Sequence, residues 1–460
     1  MPAIHRFTTR FLAALALLVL GAQPVMAQSI LRDAETEAFL ADLSEPLVEA
    51  AGLRPGNVEM VLINDPSINA FVAGGQAVYL HSGLISAAGS ANEVQGVVAH
   101  ELGHITGGHI VRQGDGMKAA SNISLLSLLA GIGAALAGAG DAAMAAVMAG
   151  QRAAMGKFLA YSRMEEGSAD IAGAQFLSDA GITGQGSLTF FGRLQNREFR
   201  YGYSQDDDAA FTRTHPLSGD RIATLREVYE KDPAWNTPPD AELQQRFIRI
   251  RAKLAGYLSD PQQILRTYPE SDTSVPARYA RAYAYHRTAR VEEALDETRA
   301  LLATAPDDPY FLELQGQILL ESGRPEEALG VLRRATALTN AQPLIATLFG
   351  HALIATEDSS NHEEAERVLR AAVAKDRFNP FAWRQLGTVY AARGDIPRAR
   401  LASAEQQVMT REYEMALRSA REAEAGLPQG SADWIRAQDV ALEARAMLER
   451  VKDSGSDTGR

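Results

Sequence analysis

The chain has 460 residues, 45 Lys+Arg against 57 Asp+Glu, and no cysteine. That length exceeds one hydrophobic core and implies two or three domains, while the acidic balance excludes the basic footprint of a nucleic-acid binder. The missing thiols exclude disulfides and a lipidated-cysteine anchor, and 46% hydrophobic with 22% charged residues excludes wholesale disorder.

In chain order, residues 1–27 read as a secretory signal. Arg6 and Arg10 supply the positive region, and Phe11–Gly21 is an apolar run too short to span a bilayer. Val25-Met26-Ala27 offers a small-residue cleavage site after Ala27. The expected location is a bacterial periplasm. Residues 28–231 mix helical patterns with a short strand-like stretch and form the expected first domain.

Within it, Glu93–His104 reads as a helix that Val97, Val98 and Ala99 would bury. His100 and His104 are four apart, about 40° around the helix, so both imidazoles can reach one metal ion. Glu101 is turned about 100° away and can meet the water such an ion activates. Zinc suits this ligand chemistry, and one Zn2+ per chain is expected. Zinc lowers the pKa of its water to about 7, and Glu101 can take that proton as attack on a peptide carbonyl begins. A buried His–Glu–His set without a metal would be costly.

Three residues compete for the third ligand position: His109, Glu165 and Glu166. His109 falls one residue short of an HExxHxxGxxH pattern, since position 110 is Ile. Glu166 and Asp170 are four apart on one helical face, so Glu166 can ligate while Asp170 orients a ligand histidine. Ala169, Ala172 and Gly173 would let this helix approach the first closely.

The segment 119–140 has no charged residue and has the length of a membrane span. A single span would put His104 and Glu166 on opposite sides of a bilayer. The segment therefore either returns as a hairpin or, as weakly hydrophobic helices, covers the site or makes peripheral membrane contact, and it is expected to start and finish near the metal site.

Residues 232–240 are rich in breakers and read as a linker. From 241 to 460 the pattern is helical and repeats. Ala294, Ala328, Ala365 and Ala399 are spaced 34, 37 and 34 apart, in step with Ala282, Gly316, Gly350 and Gly387. The three extra residues fall in the loop Glu357–His362. A 34-residue period with small residues where helices touch is the tetratricopeptide signature, and such repeats stack into a curved solenoid.

HELGH at 100–104 followed by E-x-x-A-D at 166–170 resembles peptidase family M48, the gluzincins that include the CAAX prenyl proteases and HtpX. The signal segment and repeats resemble its BepA-like periplasmic branch, which combines proteolysis with chaperone-like handling of outer-membrane proteins. Asn69–Gly75 and Val78–Ser82 are similar to the family's strand region. The resemblance implies His100, His104 and Glu166 as ligands, Asp170 behind a ligand, and Glu101 as general base. Thr214–Ile222 looks like a family motif near the active site. There His215 would be a displaceable fourth ligand or a donor to the transition state, and Arg221 would stabilise the oxyanion. The plainer reading is a helix-start turn around Pro216.

The expectation is an α+β, mostly α chain: a metallopeptidase domain with a small antiparallel sheet, then an all-α tetratricopeptide solenoid. Its function would be zinc-dependent endoproteolysis of misfolded or stalled envelope proteins. Expected partners are protein substrates and, through the repeats, the outer-membrane assembly machinery. The alternative is a periplasmic chaperone or assembly adaptor with latent proteolysis.

Overall fold

The computed structural model describes residues 29–109, 118, 121–130, 140–201, 215 and 219–456. The expected signal segment, 1–27, lies outside them, as do Pro216 and parts of 119–140.

Four short strands form one sheet: β1 (Ser29–Leu31), β2 (Glu59–Asn64), β3 (Ala70–Ala73) and β4 (Ala77–His81), in the order β1-β2-β4-β3. β3 returns directly onto β4 through Gly74 and Gly75, both at positive φ (65° and 108°), where glycine carries no Cβ penalty. That hairpin places β4 beside β2 and parallel to it, with Val61 opposite Tyr79. β1 and β3 are antiparallel to their neighbours. The sheet is therefore mixed, not antiparallel as expected, because β4 slots between β2 and β3.

Three helices frame the chemistry: α1 (Ala34–Ala50), α2 (Ser82–Ala87) and α3 (Ala91–Gly107). Ser90 caps α3, its hydroxyl accepting from the Glu93 amide, and Glu93 in turn accepts from the Gly89 amide. Every residue from Ala91 to His104 is buried. Val94, Val97, Val98 and Leu102 share one core with Phe39 and Leu43 of α1 and with Leu62, Val78 and Leu80 of the sheet.

Helix α4 runs from Gly140 to Asp179, 40 residues. It is followed by α5 (Gln185–Tyr201) and α6 (Gly219–Glu230). α4 crosses α3 closely. A Cβ on Gly103 would come within 2.5 Å of the Ala169 carbonyl, and one on Gly173 within 2.9 Å of the Ala99 backbone. The length of α4 corrects one expectation. Residues 119–140 do not finish near the metal site, because Gly140 lies 26 residues before Glu166 on the same helix, about 39 Å away along its axis. The Ala- and Met-rich stretch continues the helix. Within the described part, 121–130 is helical and meets α4 where Ser127 faces Gly150.

Residues 232–240 include a 3-10 turn, Pro233–Asn236, whose Trp235 carbonyl accepts from Thr183 and Gln185. Next come α7 (Ala241–Leu258) and α8 (Pro261–Thr267). α7 serves two cores. Leu243, Phe247, Ile250 and Leu254 pack into the core of α1 and α3, while Ala252 packs with Ile264, Ala280 and Ala284.

Antiparallel helix pairs follow: α9 (Val275–Arg287) with α10 (Val291–Thr304), α11 (Pro309–Glu321) with α12 (Pro325–Leu338), and α13 (Pro343–Ala355) with α14 (His362–Lys375). α15 (Pro380–Ala392) pairs with α16 (Ile396–Met409), and α17 (Tyr413–Gly426) with α18 (Ala432–Ser456). The periodic small residues sit where partners touch: a Cβ on Gly316 would strike Leu332, and one on Gly350 would strike Leu369. This is tetratricopeptide packing, and it makes the chain mostly helical.

The two halves are joined by buried charge. Around the start of α1, Lys253 Nζ lies 2.5 Å from Asp33 and 3.2 Å from Glu35, and Tyr279 donates to Glu35 at 2.6 Å. Arg249 pairs with Glu35 and grips Asp308 through two nitrogens.

Candidate metal centre

α3 supplies His100, Glu101 and His104. The four-residue spacing puts both imidazoles on one face, and burial at 2%, 0% and 9% exposure removes them from water. α4 crosses this face and adds Glu166 and, one turn later, Asp170. His215 comes from the region before α6, and Arg221 from the first turn of α6.

His100, His104, Glu166 and His215 each present one donor atom, and these atoms lie within 4.8 Å of one another. His100 Nε2 is 3.1 Å from His104 Nε2, 3.3 Å from His215 Nδ1 and 3.4 Å from Glu166 Oε2. Glu166 Oε1 is 3.5 Å from His104 Nε2 and 3.1 Å from His215 Nδ1. Both carboxylate oxygens of Glu101 are buried with no hydrogen-bond partner among the described residues, and Oε1 lies 3.6 Å from His215 Nε2. Among the three competitors for the third position, only Glu166 belongs to this group. Glu165 lies outside it, and His109 stands behind His104, Nδ1 to Nδ1 at 2.9 Å.

A second layer holds the first. His100 Nδ1 is 2.9 Å from Asp170 Oδ1. Arg221 grips Asp170 with Nε at 2.7 Å and a terminal nitrogen at 2.8 Å, and its other terminal nitrogen is 3.1 Å from Glu166. The guanidinium thus faces the two acids.

The electrostatics of the bare cluster are uneven. Burial disfavours the His100 cation, but Asp170 and Glu166 override it and push its pKa up to about 10. Burial and the neighbouring His100 charge pull His104 down to about 2. Burial would raise Glu166, yet hydrogen bonds with His100 and His215 hold it far below the carboxylate range. Burial raises Glu101. With neutral imidazoles, the three carboxylates of Glu101, Glu166 and Asp170 face one guanidinium, a deficit of two positive charges. Converging imidazole and carboxylate donors with that deficit fit a divalent cation.

Sequence reasoning singled out each member of this centre except His109 in its observed place. The signal for that place was Gly107-Gly108, a helix end followed at once by a histidine.

Comparison with known proteins agrees with the geometry. Residues 34–229 match the model described as peptidase family M48. A beta-barrel assembly-enhancing protease from Escherichia coli (strain K12) is 25% identical over 432 residues, covering 92% of this chain and 86% of that one. A counterpart from Vibrio cholerae serotype O1 is 29% identical over 294 residues, 62% of this chain and 59% of its own length. Among solved structures, the TPR protein YrrB aligns over 38% of this chain and 91% of its own, with 20% identity and a TM-score of 0.31.

Proposed function

The chain carries a peptidase family M48 metalloprotease domain at residues 34–229, and from that premise we propose that it is a zinc-dependent endopeptidase of the bacterial periplasm. Its substrates would be misfolded or stalled outer-membrane and other envelope proteins, with the repeats binding substrates or the assembly machinery. The observation that carries this reading is the convergence of His100, His104, Glu166 and His215 beside the Glu101 carboxylate, which has no hydrogen-bond partner among the described residues. Zinc suits the donor set: at about 2.0–2.1 Å from each donor, a tetrahedral ion separates its ligands by about 3.3 Å, close to the 3.1–3.5 Å spacings found here.

His100, His104 and Glu166 would hold the ion. Zinc, when bound, supplies Lewis acidity that polarises a carbonyl and acidifies water. Glu101 is placed to take the water's proton and later give it to the leaving amine. Asp170 fixes the ring of His100. The three-nitrogen engagement of Arg221 with Asp170 and Glu166 favours a positioning role over the oxyanion contact expected from the motif.

Export rests on the signal-like residues 1–27, and the substrate class on the similarity to proteins named beta-barrel assembly-enhancing proteases. Peripheral membrane contact is supported by the surface around 119–140. Leu125, Leu126 and Leu129 are 56%, 66% and 56% exposed, beside Met144, Met148 and Met155 of α4 at 65%, 50% and 58%. No helix among the described residues is long and apolar enough to cross a membrane.

The second reading, an adaptor with latent proteolysis, is favoured by one observation: His215 Nδ1 stands among the ligand atoms, where it would fill the position a substrate needs. Zinc analysis with casein cleavage tests both readings on wild type and His215→Ala. One zinc per chain and measurable cleavage support the peptidase, and wild-type protein without zinc or cleavage overturns it. A faster His215→Ala enzyme with zinc intact identifies a latch. A loss of roughly a hundredfold identifies a transition-state donor instead.

A further inference from the structure

We infer that His109, reached through the glycine pair at the end of α3, is a positioning residue that sets the proton and the aim of the ligand His104. This inference rests on the metal reading above.

The local chain explains the arrangement. α3 ends at Gly107, and Gly108 follows at φ 62°, the left-handed conformation that closes a helix. The chain then folds back and brings His109 under the last turn. Gly107 makes the room, since a Cβ there would stand 2.4 Å from His109 Nε2. His109 is 8% exposed.

The hydrogen-bond directions follow from the ligand. His104 Nε2 is the atom that faces His100 and Glu166, so its lone pair belongs to the metal and its proton must sit on Nδ1. Nδ1–H donates to His109 Nδ1 at 2.9 Å. His109 must then carry its own proton on Nε2, which donates to Ser168 Oγ at 2.9 Å. The Ser168 hydroxyl donates onward to the Glu165 carbonyl oxygen at 2.9 Å. Every donor has an acceptor, and the chain ends on the backbone of α4 beside Glu166. The two ligand histidines are thus backed differently. His100 rests on the Asp170 carboxylate, whereas His104 rests on a neutral ring tied to the helix that supplies the third ligand.

Partners behind a metal-bound imidazole typically change metal affinity 10–100-fold. The test is competition for zinc between the full-length protein and a chromophoric chelator, with zinc as the only added metal. His109→Phe keeps a ring and removes the acceptor, so it should weaken zinc binding 10–100-fold at unchanged stoichiometry. His109→Asn, whose amide oxygen can replace Nδ1 as acceptor, should recover most of that loss. Gly107→Ala, which displaces the His109 ring without altering it, should weaken zinc in the same direction and covers the case in which the phenylalanine variant fails to fold. Wild-type affinity in His109→Phe overturns the inference. So does an asparagine variant as weak as the phenylalanine one, which would mark a purely steric role. Wild-type protein that binds no zinc is a different result and refutes the metal reading itself.

Discussion

Two of the buried polar clusters among the described residues differ in what they lack. Between the two halves of the molecule, Asp33, Glu35 and Asp308 meet Lys253 and Arg249, with the Tyr279 hydroxyl on Glu35. Three acids there face two cations. In the metal centre, Glu101, Glu166 and Asp170 face Arg221 alone, and imidazole nitrogens point at one another. The first cluster falls one charge short, has the Tyr279 hydroxyl on Glu35, and acts as a joint. The second, with neutral imidazoles, is short of two charges and brings four donor atoms within 4.8 Å of one another, the condition of a site built for a cation. Burial alone does not distinguish a structural cluster from a functional one; the larger unmatched charge together with converging donor atoms does.

The comparison can be broken at the centre first. Glu101→Gln preserves shape and removes the base, so peptide-bond cleavage should fall about 10²- to 10⁴-fold while zinc stays at one per chain. Casein turnover and metal analysis on one sample decide it, and wild-type turnover would remove Glu101 from that role.

Glu166→Ala should lose zinc, and with it activity, whereas Glu165→Ala should keep both. Full zinc stoichiometry in Glu166→Ala would take that residue out of the ligand set. Chelation of the wild type should reproduce the Glu166→Ala phenotype and leave the joint between the halves intact.

The joint should behave in the opposite way. Lys253→Met leaves Asp33 and Glu35 buried with less countercharge, a loss of about 3–5 kcal/mol in unfolding free energy. Zinc affinity should not change. Denaturant unfolding and zinc competition on the same variant separate the two clusters, and coupled losses would show that they are not independent.

The smallest effect is expected at Glu313, on the repeat side of the joint. Burial raises its pKa to about 8, with Lys253 opposing and Asp33 and Glu35 adding. The folded state therefore holds this proton to about pH 8, while the unfolded chain releases it near 4.5. Stability tied to this proton is complete below about pH 4.5 and is lost as pH rises toward 8. Glu313→Gln should flatten that slope, gaining stability near pH 8.5 and nothing near pH 4, as read by thermal unfolding. Equal gains at both pH values would exclude the carboxyl as the cause.

Much of the centre could be read in the sequence because local periodicity carried it. Four-residue spacing on a helix puts His100 with His104 and Glu166 with Asp170 whatever the rest of the chain does. The repeats were legible for a related reason: each small residue marks a contact between neighbouring helices, so a 34-residue period survives in one dimension. The sheet was less legible. Only Asn69–Gly75 and Val78–Ser82 were read as strand region, β1 and β2 were not, and the strand order depends on where β4 inserts, which no alternation of side chains records.

What the sequence alone determined was therefore chemistry fixed by short-range geometry: the two-histidine helix, the acid pair and the repeat. What only the tertiary structure decided came from segments distant in sequence or from a turn. His215 and Arg221 reach Glu166 from 49 and 55 residues away, and α7 lends one face to the peptidase core although it follows a breaker-rich stretch. His109, one position off the zinc pattern, gains its place from the left-handed Gly108, which turns it back behind His104. The reason is physical. Periodicity specifies which residues share a face, but the partner for that face is selected by packing and charge balance across the whole fold, and these have no local signature.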